Sequence, residues 1–252
     1  MAAKSSSDSG FGANSTAADL EHAMTVQANP ADAEILMCFF KTGPGQYAEG
    51  DQFLGIKNPL TRRTAKAFQD LPVREAVRTA QSRWHEIRLC ALLILANRYQ
   101  RKKTTEAERD DIFEYYAELA RRGFVNNWDL VDLTAPDIAG AYAFSHGTDT
   151  LERFAASGRL WEERIAVLSM FPFIRAGQIE IPFRMVDRFL PHPHDLMHKA
   201  CGWMLREIGK RDRAALTAYL QDNKAAMSRT TLRYAIEHYP EPERKAFLTR
   251  DK

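Results

Sequence analysis

The sequence predicts an all-α protein, an α-solenoid of degenerate helical repeats. Three observations carry that reading. Apolar residues recur at helical spacing from residue 16 onward, breaker clusters interrupt them at short intervals, and alternating strand patterns are nearly absent. At 252 residues and 45% hydrophobic content, the chain is long enough to bury a sizeable core.

Residues 1–15 are rich in Ser, Gly and Ala without an apolar period, so a flexible tail is expected ahead of a single helical-repeat domain over 16–252. Helices are expected at 16–28 and 30–41, closed by the breaker KTGPGQ, then at 59–69 and, after Pro72, at 73–82. The next, 84–100, is apolar around most of its circumference through Ile87, Cys90 and Ala91 to Leu95, as an inner helix covered on several sides should be. Helix 105–121 carries one apolar stripe of Ile112, Phe113, Tyr116, Leu119 and Ala120. RRGFVNN then breaks the pattern, and Asn126 or Asn127 is placed to cap a short helix at 128–133. Further helices follow at 137–145, 148–157, 161–172 and 178–189, and the PHPH cluster precedes those at 195–210, 212–223, 228–237 and 241–249. Short helices joined by short loops suit stacked pairs that bury a continuous core and leave a concave surface for a ligand.

Composition narrows the function classes. The formal net charge of +2 is too small to predict nucleic-acid binding by itself, so any such claim must rest on where charges cluster. Cys38, Cys90 and Cys201 stand far apart among apolar residues and read as buried thiols of a reducing compartment. The N-terminus lacks the apolar run of a signal peptide, and no segment approaches the roughly 20 apolar residues of a membrane span, so a cytoplasmic location is expected. A phosphate-binding Walker loop, a dinucleotide fingerprint and a GxSxG elbow are all missing.

Four side chains stand out. Trp128 and Asp132 of NNWDLVD are four apart and share one helix face, and Arg164 lies three residues after Trp161. In HKACGWMLREIGK, Leu196, Ala200, Met204 and Ile208 form the buried face, while Lys199, Trp203, Arg206 and Lys210 form a basic stripe around an indole. A carboxylate beside an indole, with such a stripe, suits chemistry on an anionic, flat-ringed polymer such as DNA. Spacing alone leaves simpler roles open: a core tryptophan at Trp128, a solvated or capping carboxylate at Asp132, a surface arginine near Glu162 and Glu163, and packing for Trp203. Asp129, in the first turn, is expected only to complement the helix dipole. His192, His194 and His198 have a spacing seen in metal sites but lack further ligands, and WHEIR has Leu89 where a second zinc-ligating His would stand. No metal and no cofactor are expected.

The segments GQYAEGDQFLGIKNPLTRRTAKAF, WHEIRLCALLIL, NNWDLVD, LWEERIAVLSMF and HDLMHKACGWMLREIGKRD, in that order over most of the chain, resemble the AlkD family of alkylpurine DNA glycosylases. The resemblance implies HEAT-like repeats. It implies that Asp132 is the catalytic aspartate, that Trp128 and Trp203 wall the lesion nucleotide, and that Arg164 holds the DNA backbone. It also implies attack from the backbone side, with the base left in the duplex. The expected activity is excision of cationic 3- and 7-alkylpurines from double-stranded DNA by a monomer, with Lys199, Arg206 and Lys210 tracking phosphates. No lysine suited to Schiff-base chemistry stands out, so the expected product is an abasic site. The alternative is a non-catalytic helical-repeat module that grips branched DNA or a protein partner.

Overall fold

The computed structural model describes residues 12–249. Sixteen α-helices and one π-helical turn account for their regular structure, and the single isolated pairing among them is a parallel bridge between Gln52 and Trp84. The fold class is the expected all-α one, with helices packed mostly on near neighbours in the chain, as in an α-solenoid of HEAT-like repeats. The expected tail falls mostly outside the described residues; within 12–15 the chain turns, and Ser15 N–H donates to the Gly12 carbonyl at 3.0 Å. The residues beyond it gather into two compact units that divide at Leu130 and Val131.

The first unit contains α1 (Ala17–Thr25), α2 (Pro30–Phe40), α3 (Asn58–Ala67), α4 (Val73–Thr79), α5 (His85–Tyr99) and α6 (Glu106–Arg121). Local chemistry sets these ends: Thr16 and Asp19 form a capping box on α1, Asn29 caps α2 ahead of Pro30, and Thr105 caps α6. Helix α5 is buried along almost its whole length, and α3 and α4 pack on it. At its start, Glu86 accepts the backbone N–H groups of Leu54, Gly55 and Ile56 at 2.8–3.0 Å, which fixes the preceding loop. Of the three thiols, Cys90 and Cys201 are buried but Cys38 is exposed. The apolar residues of α2 run around the whole helix, only Ala33 and Phe40 are fully buried, and Cys38 falls on the outer side.

The chain passes into the second unit along α7 (Trp128–Asp132). That unit contains α8 (Ala141–His146), α9 (Asp149–Ala155), α10 (Leu160–Leu168), α11 (Phe171–Arg175), α12 (Glu180–Phe189), α13 (Asp195–Arg211), α14 (Arg213–Asn223), α15 (Arg229–Ala235) and α16 (Glu241–Leu248). Two expected helices are divided. The segment expected at 137–145 begins as a π-helical turn, Pro136–Gly140, in which Gly140 N–H reaches back five residues to the Ala135 carbonyl at 2.8 Å. A Cβ on Gly140 would lie 2.7 Å from the Ser169 carbonyl, so this turn presses against the end of α10. The segment expected at 161–172 ends at Leu168, because Pro172 has no N–H to continue it and instead enters the first turn of α11. Helix α13 is central, packing on α10, α12, α14 and α15, and Gly202 permits the α15 contact: a Cβ there would lie 2.5 Å from Tyr234 Cβ.

Candidate active site

Helix α7 opens on Trp128 and closes on Asp132. Asn127 Oδ1 accepts the adjacent Trp128 N–H at 2.8 Å, one residue short of the amides that the expected cap would meet, whereas Asn126 Oδ1 accepts from Arg88 at 3.0 Å. In the first unit Trp128 is half-buried against a cluster of Ala33, Phe40 and Phe53. Its ring stacks on Phe40 at 5.2 Å, Phe40 stacks on Phe53 at 4.9 Å, and Phe53 stacks on His85 at 4.4 Å. Three further stacked rings therefore fix the Trp128 plane.

The far end of that stack is charged. His85, 1% exposed, places Nδ1 2.9 Å from Asp51 and Nε2 2.9 Å from Asp129. Burial alone would lower its pKa, but the charges and hydrogen bonds of Asp129 and Asp51 outweigh that and raise it to about 9. His85 is thus an imidazolium donating to two carboxylates. Burial opposes ionisation of Asp51, yet its bond to His85 and the Arg88 charge hold its pKa below the ordinary value, with Arg88 Nη2 at 2.7 Å from Asp51 Oδ1. Asp129 Oδ1 also accepts the Leu130 N–H at 2.9 Å. Asp129 thus does more than complement a dipole: it ties the start of α7 to α5. His85, Arg88 and Asp51 escape the sequence reading of the site. The signal for two of them is a pair of charged side chains, three residues apart, on a helix apolar on nearly every side.

In the second unit, Arg164 of α10 meets Asp132 with a two-pronged contact, Nε to Oδ1 and Nη2 to Oδ2, both at 2.8 Å. Its third nitrogen donates to the Leu196 carbonyl at 2.5 Å. The Arg164 side chain is 4% exposed and that of Asp132 11%, so the Asp132 side chain keeps a narrow opening to solvent. Arg164 is neither the surface arginine that spacing allows nor placed to meet phosphate without leaving these partners. In this arrangement it holds Asp132.

The histidine group lies beside this pair. His194 caps α13 by accepting the Leu196 N–H on Nδ1 at 3.1 Å, His192 accepts the His194 N–H at 3.0 Å and pairs with Glu163 at 3.0 Å, and His198 Nε2 meets the His192 carbonyl. Burial is the largest cause that lowers the His194 pKa, which suits an imidazole that must accept. Among the described residues no three His, Cys, Asp or Glu side chains gather as a metal site.

Trp203 is half-buried on α13, with its N–H donating to Glu207 at 3.2 Å and Phe171 edge-on at 5.2 Å. Lys199, Arg206 and Lys210 share its face as expected, but each has an acidic partner: Asp195 at 2.9 Å, Glu237, and Glu207 at 2.7 Å. Leu196 is only partly buried, and Met197, Cys201 and Leu205 join Ala200, Met204 and Ile208 on the inner side.

Residues 20–239 match the family model described as DNA alkylation repair enzyme. A solved structure from Enterococcus faecalis, described as a predicted DNA alkylation repair enzyme, superposes with a TM-score of 0.64 at 18% identity, covering 85% of this chain and 98% of that one. At that identity the likeness speaks for the fold. No curated protein matches the chain.

Proposed function

Since the chain belongs to the DNA alkylation repair enzyme family, we propose that it is a monofunctional glycosylase that releases cationic 3- and 7-alkylpurines from duplex DNA. The observation that carries this reading is Asp132, a carboxylate oriented by a two-pronged guanidinium and left partly open. An alkylpurine cation is already a good leaving group. When the C1′–N bond breaks, its electron pair passes to the purine, which departs neutral, and positive charge develops on the sugar. Asp132 stabilises that charge, orients water toward C1′ and receives the water's proton, leaving an abasic site. Arg164 keeps the carboxylate aimed, and Trp128 and Trp203 offer indole faces to the cation. No metal or cofactor enters this scheme.

The test is release of 7-methylguanine from methylated duplex DNA by the purified protein. Asp132→Asn should lower release by about 10²–10³-fold, the scale of losing one electrostatic stabiliser, with little change in DNA affinity. Large cationic N7 adducts should also be released and neutral hypoxanthine retained, because the residues address sugar and charge more than base edges. DNA binding without any base release would identify a binding module instead.

A further inference from the structure

The cations of α13 are offset by neighbouring acids; another set is not. Arg62 and Lys66 of α3 and Gln69 just beyond it recur at i, i+4 and i+7, forming a row along one side of the helix. Leu93 and Asn97 of α5, followed by Arg101 past its end, form a second row. The helices pack together, and the rows border a groove of about 330 Å³ floored by the buried Ala65 and Leu93. Arg62 and Lys66 are exposed, and no carboxylate among the described residues pairs with either; Arg62 Nε donates only to Asn58 at 3.0 Å. Arg101 holds Asp70 at 2.8 Å and the Gln69 carbonyl. The exposed Arg63, Lys102 and Lys103 raise the local positive charge further.

We infer that the groove between α3 and α5 is a DNA-contact site of its own, which takes the phosphate backbone of the duplex flanking the lesion. This rests on the proposed action on DNA. A polyanion brings the phosphates that the unpaired cations lack, and releases condensed counterions as it binds. Gln69 and Asn97 add amide donors for phosphate oxygens, while the apolar floor beneath them strengthens the attraction. The groove also stands apart from Trp128. From His85, at the base of the Trp128 ring stack, to Asn97 is twelve residues of α5, about 18 Å, or roughly five base pairs at about 3.4 Å each.

The experiment is equilibrium binding of an undamaged duplex between about 50 and about 200 mM salt. The Arg62→Ala, Lys66→Ala double variant should flatten the dependence of log K on log salt by about two, one per lost phosphate contact, and Lys66→Arg should retain the wild-type slope. On duplexes that carry a 7-methylguanine with flanks cut to about three base pairs, variant and wild type should bind alike. At saturating methylated duplex, base release should be unchanged in the double variant. An unchanged salt slope, a loss confined to duplex RNA, or a collapse of turnover at saturation would each overturn the inference. A wild-type protein that shows the slope difference yet releases no 7-methylguanine would remove the glycosylase reading and leave the groove standing.

Discussion

The two units each bury carboxylates against a cation, and they differ in how completely the cluster is closed. In the first, His85 lies between Asp51 and Asp129 with Arg88 on the far oxygen, and all four side chains are buried. In the second, Asp132 pairs with the buried Arg164 and its side chain stays partly exposed. A sealed cluster can only hold elements in place; an open one can also meet a substrate. The buried charges of the first unit fix the start of α7, and the carboxylate at the end of that helix is the one we propose for the chemistry.

The comparison is broken most severely at Arg164. Arg164→Ala leaves Asp132 without its two-pronged partner and removes the side-chain donor from the Leu196 carbonyl. Removing one partner of a buried pair costs about 3–5 kcal/mol, so chemical denaturation should show a loss of that size. Arg164→Lys should recover part of the stability but not the aim of the carboxylate, and base release should stay low. If Arg164→Ala kept full stability and lost only affinity for DNA, Arg164 would serve phosphate and not Asp132.

A smaller effect separates the units by pH. The folded His85 pKa of about 9 exceeds its ordinary 6.5, so His85 contributes stability that is complete below about 6.5 and is lost as pH rises through about 9. The alkaline loss should be on the order of a few kcal/mol, given about 1.4 kcal/mol per pKa unit. Amide exchange should accelerate in α5 over that range and much less in α13. His85→Gln, which does not titrate there, should show no such rise; a rise equal to wild type would place the alkaline transition elsewhere.

What the sequence makes legible follows the range of each interaction. Helices rest on local periodicity, so the expected segments match closely; of the two that divide, one does so four residues before Pro172, which is visible in the chain, and the other between Gly140 and Ala141, where a π-helical turn gives way to α8. The Lys199–Asp195 and Lys210–Glu207 pairs lie at i,i+4 and i,i+3, so these acidic neighbours of the α13 stripe are readable too. By contrast, Arg164 meets Asp132 across 32 residues and His85 meets Asp129 across 44, and spacing on one helix reveals neither. The groove between α3 and α5 is of the same kind, since its two rows are regular but their adjacency is tertiary.

The smallest expected effect runs opposite in pH. His194 caps α13 through an unprotonated Nδ1, and its pKa is lowered chiefly by burial. A histidine with a depressed folded pKa contributes stability that is present above its ordinary 6.5 and is lost as pH falls. The second unit should therefore weaken toward acid while the first weakens toward alkali. His194→Ala removes the cap and should cost about 1 kcal/mol at neutral pH. His194→Asn supplies a side-chain oxygen that accepts the Leu196 N–H at any pH, so it should keep the neutral stability and reduce the acid loss. Because the Leu196 carbonyl takes a bond from Arg164, the alanine variant should also slow base release slightly, and the asparagine variant should restore it. Equal acid sensitivity in the asparagine variant and the wild type would show that the titrating group of the second unit is not this cap.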